Sequence, residues 1–156
     1  MIVVDFDIAP LDTAVSPLWQ PGPRVDLATV SEMDLRYEYF WSRIRFVIND
    51  HDLGDRWGNV PLLDFTASLE LVLESINRSN SGKIDFTENS IAVSFVRSED
   101  SVEIEATTEA SSFTCSISDL TAAARAFIDK VAVALLESHP DIANNEFFRR
   151  LTHFAL

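Results

Sequence analysis

Hydrophobic spacing changes along this chain, and the order of the changes limits the fold more than any motif does. Ile2, Val4, Phe6 and Ile8 alternate with Val3, Asp5 and Asp7. Leu35, Tyr37 and Tyr39 alternate with Arg36 and Glu38, and Ile44, Phe46 and Ile48 alternate with Arg43, Arg45 and Val47. A period of two turns one set of side chains to a core and the other to water, so these runs predict three strands. Over residues 61–77, "PLLDFTASLELVLESIN", the period lengthens. Leu62, Phe65, Leu69, Val72, Leu73 and Ile76 recur at steps of three and four, which predicts an amphipathic helix. Asn59 is its expected N-cap and Pro61 suits its first turn.

The period then returns to two. A strand is expected at Ile84 and Phe86, followed by runs at Ile91, Val93 and Phe95, at Val102, Ile104 and Ala106, and at Phe113, Cys115 and Ile117. "RSEDS" and "TTEAS" read as the turns of an antiparallel meander. Ser116 or Ser118 is expected to cap a second helix with the stripe Leu120, Ala123, Ala124, Phe127, Val131 and Leu135, broken at "SHPD". A third helix is expected from about Asp141, using Phe147, Leu151 and Phe154. Hairpin-linked strands with segregated helices predict an α+β fold: one twisted antiparallel sheet of six to seven strands, with two to three helices on one face.

Residues 9–32 interrupt this pattern with Pro10, Pro17, Pro21, Pro23 and Gly22. Proline lacks the N–H a ladder needs and breaks helices, so a long irregular excursion is expected, pinned by Leu18 and Trp19. The 156 residues fit a single domain, which would bury about 68–70% of its unfolded surface. Cys115 is the lone cysteine, so no disulfide forms within the chain and a reducing, cytoplasmic setting is expected. The opening "MIVVDFDIAP" carries Asp5 and Asp7 without a basic leader, so no signal peptide is expected. No apolar run reaches membrane-spanning length. A net charge of −13 argues against nucleic acid and anionic membranes, which need Lys and Arg to meet phosphate. It leaves a basic protein as a partner. The oligomeric state is not readable.

The densest polar stretch is "NDHDLGDRWGN", residues 49–59. As a calcium loop begun at Asp50 it fails, because Asp55 falls where glycine belongs and Pro61 falls at the bidentate position. As a zinc site it fails too, since His51 has no second nitrogen or sulfur ligand at helical spacing. Asp and Asn side chains fold onto nearby amides, so a turn leading into the helix is the expected reading. Cys115 sits between Phe113 and Ile117 on the inward parity of a strand, which is the place of a filler and not of a nucleophile. No nucleophile elbow or phosphate loop occurs. Glu103 and Glu105 share a strand face, yet an open face lacks the burial that would divide their roles as acid and base. No catalytic residue, metal ligand or cofactor is assigned.

What remains is acid. Asp50, Asp52, Asp55, Asp64, Glu70 and Glu74 face only Arg56 within residues 50–74, and Glu99, Asp100, Glu103, Glu105 and Glu109 face only Arg97 within residues 97–109. Arg36, Arg43 and Arg45 are expected to neutralise Asp5 and Asp7 across strands. The two acid-rich segments, with Asp50, Asp52, Asp55, Asp64, Glu70, Glu74, Glu99, Asp100, Glu103 and Glu105, form the candidate partner surface. In size, acidity, the strand "SRIRFVIND" and the helix start "WGNVPLLDF", the chain resembles small acidic α+β bacterial immunity proteins and related domain families of unassigned function. The resemblance implies a non-enzymatic role, binding a basic toxin and covering its active site. The alternatives are a metal- or carboxylate-dependent enzyme using the 50–55 loop, and an assembly subunit using Leu18 and Trp19.

Overall fold

A computed structural model describes residues 1–8, 25–87 and 89–153. The fold is α+β, with two antiparallel sheets of four strands each. The first sheet comprises β1 (Ile2–Ile8), β2 (Trp41–Ile48), β3 (His51–Asp52) and β4 (Asn59–Pro61), with β2 pairing all three others. The second is the meander β5 (Ser81–Asp85), β6 (Ala92–Ser98), β7 (Ser101–Ala106) and β8 (Phe113–Ser116), in that order. Period-two alternation marks a strand with one buried face but does not say which sheet receives it. The expected single sheet is therefore two.

Helix α2 (Leu62–Ser79) joins the sheets and α3 (Ile117–Ser138) follows the meander. The sheets and helices share one buried cluster. Phe46 of β2 meets Phe95 of β6 at 6.3 Å between ring centroids, and Phe65 of α2 meets Phe127 of α3 edge-on at 5.5 Å. Trp57 contacts Phe46, Phe65 and Phe86, linking both sheets to α2. Burying each such aromatic contributes about 1.5–3 kcal/mol, and the ring contacts tie the two sheets and the two long helices into one core.

Four local expectations are revised. Leu35, Tyr37 and Tyr39 do not lie on a strand: α1 spans Glu32–Tyr37, and the Ser31 hydroxyl accepts the Asp34 N–H at 3.1 Å as its N-cap. Leu35 and Tyr39 are four apart, a step that both periods share over so short a run. The irregular excursion therefore stops at Ser31, and its described end is pinned by the half-buried Asp141 and the buried Asn145. Asp141 accepts the Leu27 N–H at 2.8 Å, and Asn145 donates to the carbonyls of Leu27 and Val30. Residues 9–24, with Leu18 and Trp19, lie outside the described residues, as does Phe154.

Asn59 does not cap α2. It pairs with Arg43 in β4, Pro61 takes the N-cap position without a side-chain bond, and the Leu62 N–H donates to the Phe40 carbonyl at 3.2 Å. The terminal helix donor is thus satisfied by the residue that leads into β2. The third helix begins later than expected: Pro140–Asn144 forms a 3-10 turn, and α4 spans Glu146–Thr152 with Asn145 as N-cap. Ser116 caps α3 as expected, its hydroxyl accepting the Asp119 N–H at 3.0 Å.

Candidate functional site

The loop 49–58 is a clasp between the sheets. Asn49 and Asp50 both have positive φ, 48° and 71°, as a two-residue hairpin turn between Ile48 and His51 requires. Asp52 points inward, and one of its oxygens accepts the N–H groups of Phe46 and Gly54, each at 3.0 Å. Gly54 lies so close to β2 that a Cβ there would stand 2.0 Å from the Ile44 carbonyl oxygen, so only glycine fits. The loop then reaches the second sheet. His51 stacks on Phe113 at 5.1 Å and pairs with Glu109 at 3.2 Å, while Arg56 donates to the Thr108 carbonyl at 2.9 Å. Among the described residues no three His, Cys, Asp or Glu side chains are grouped to hold a metal ion. The loop's carboxylates diverge: Asp52 goes to backbone, Asp55 lies 3.5 Å from Arg43, and Asp50 is exposed.

The acids proposed for a partner surface separate into two groups. Asp64 is 6% exposed and accepts a hydrogen bond from Arg36 Nε at 2.7 Å, so it belongs to the interior with Asp52. Glu70 is largely buried beside His153, Nε2 to Oε1 2.9 Å. Asp50, Glu74, Glu99, Asp100, Glu103 and Glu105 are exposed and form no ion pair among the described residues.

The outer faces of the two sheets differ in how their charges are met. On the first sheet Asp5 sits opposite Arg45 and Asp7 opposite Arg43, and Lys130 of α3 ion-pairs with Asp5 while covering the Phe6 ring at 5.8 Å. The register is the one expected for Arg43 and Arg45, but the ion pairs differ: Asp5 is met by Lys130, and Arg43 reaches Asp55 at 3.5 Å. Arg36 instead serves Asp64. Burial pushes the Asp5 carboxyl up, but Lys130, the Phe6 N–H and Arg45 outweigh it and hold the group below its ordinary value. On the second sheet Glu103 lies between Val96 and Thr114, and Glu105 lies opposite Ser94. These cross-strand neighbours carry no charge. Glu99 and Asp100 extend the same acidic line into the β6–β7 turn, where Glu99 takes a φ of 57°.

Cys115 is half-buried, and burial followed by the nearby Asp119 pushes its thiol up. A thiol raised this way is a poor nucleophile. Neither the His51–Glu109 contact nor the Glu70–His153 contact was legible in the sequence, because each joins residues far apart in the chain; Glu70 and His153 are separated by 83 positions. No helix among the described residues is long and apolar enough to cross a membrane. Compared with protein-family models, with curated proteins and with solved structures, the chain matches none.

Proposed function

We propose that this protein is a non-enzymatic binding module that engages a basic protein through the outer face of its second sheet. The observation that carries the reading is the contrast between the faces: Asp5 and Asp7 have arginines across from them, whereas Glu103 and Glu105 have Val96, Thr114 and Ser94. Glu103 and Glu105 form no ion pair among the described residues, and Lys83, two strands from Glu105 on the same face, is paired with Asp85 at 3.3 Å. Carboxylates left unpaired steer a positively charged partner and favour its encounter. Val96, 52% exposed on β6 opposite Glu103, supplies an apolar point on the same face. The immunity-type resemblance suggests one form of this role, in which a bacterial chain covers the active site of a basic toxin in the cytoplasm. The lone Cys115 suits that reducing compartment.

The test is affinity capture from the cells that make the protein, with wild type and the E103K/E105K variant as parallel baits. The reading expects a basic protein held by wild type, released by salt and missing from the variant. Identical sets of proteins on both baits would contradict it.

A further inference from the structure

Three buried side-chain polar atoms among the described residues lack a hydrogen-bond partner: Trp57 Nε1, Thr108 Oγ1 and Glu70 Oε2. Glu70 alone of these is a carboxylate, and it lines an open groove of about 250 Å³ between α2 and α4. The groove is built by helical spacing. Ala67, Glu70, Leu71 and Glu74 fall at steps of three and four on α2, and Phe147, Arg150 and Leu151 do the same on α4. Leu71 is 56% exposed, an apolar wall that the fold leaves uncovered among the described residues.

The charges of the lining do not cancel within it. Arg150 is turned to Glu32, with its guanidinium 5.8 Å from the Phe147 ring, so its charge is met outside the groove. His153 occupies one oxygen of Glu70 and leaves the other without a donor. Glu74, one turn along α2, adds a second exposed carboxylate. A buried acceptor without a donor is costly, and an incoming N–H would relieve that cost.

We infer that this groove receives a lysine or arginine side chain of a protein partner, with the cationic tip on Glu70 and the alkyl stem along Leu71, Phe147 and Leu151. The size agrees: pockets for drug-sized molecules run from about 300 Å³ upward, and this one is smaller. An alkyl stem ending in a cation covers apolar surface while its tip reaches a polar group, the behaviour of Lys and Arg side chains generally. The inference rests on the proposed basic partner only for the source of the side chain.

The test is an NMR titration of the full chain with N-acetyl-lysine methylamide, N-acetyl-arginine methylamide and the uncharged N-acetyl-norleucine methylamide. A fragment of that size should bind with a dissociation constant of about 1 mM. The expected result is that at least one of the two cationic probes shifts the amides of residues 67–74 and 147–151. The norleucine probe should not, E70Q should weaken binding at least tenfold, and E103Q/E105Q should leave it unchanged. Equal shifts from norleucine, shifts confined to the second sheet, no shifts with either cationic probe, or unaltered binding to E70Q would each overturn the groove assignment. Because no partner is needed, failure here leaves the sheet-face reading standing, and failure of bait capture leaves the groove titration interpretable.

Discussion

Arg36 Nε lies 2.7 Å from Asp64 Oδ1, joining α1 to α2 across a carboxylate that is 6% exposed. An acid that the sequence places in a surface cluster is therefore a structural tie. Removing it leaves a guanidinium that is mostly shielded from water without its partner. D64A should cost about 2 kcal/mol, the range for a lost charge-assisted hydrogen bond at a largely buried site. The urea midpoint should fall without a change in slope.

Asp52 and Asp50 offer a sharper comparison, because they stand two apart in the same loop. Asp52 serves the amides of Phe46 and Gly54, while Asp50 is exposed in the turn. D52A should destabilise by about 2 kcal/mol, a cap loss plus a lost ladder acceptor. D50G, which suits the positive φ of 71°, should stay within about 0.5 kcal/mol of wild type. Chemical denaturation of the two variants side by side measures the difference.

Asp5 sets an acid-side dependence. Its folded pKa is lowered from the ordinary 3.8, so the stability it contributes is present above 3.8 and is lost as pH falls through the folded value. D5N should be less stable than wild type at pH 7, and the gap should close below pH 3.8 as wild type loses the same contribution. Thermal unfolding of both proteins from pH 7 down to pH 2 checks the sign.

The raised Cys115 thiol predicts slow alkylation. At pH 8 the folded protein should react with iodoacetamide several-fold more slowly than the urea-unfolded chain, since less thiolate is present and access is reduced. Timed mass spectrometry reads both rates.

Particular residues show where sequence reasoning carries and where it stops. Long periodic runs suffice: α2, α3 and the β6–β8 meander lie close to where alternation and helical spacing put them. The failures are short or non-local. Leu35 and Tyr39 fit either period, and the cap on Ser31 decides for the helix. The division into two sheets follows from core contacts such as Phe46 with Phe95, which no local pattern carries. Composition identified the acids, but only tertiary placement separates Asp52 and Asp64, used inside, from Glu103 and Glu105, left outside. The groove depends on α2 and α4 meeting, and neither helix announces the other.

The most direct measurement is the dissociation constant of the captured basic partner against two double variants that change net charge equally. E103Q/E105Q removes the sheet-face pair, while D129N/E137Q removes two exposed acids of α3. The account predicts at least a tenfold weakening for the first and less than twofold for the second, with the difference shrinking at high salt. Equal weakening by both, or none by either, would contradict it.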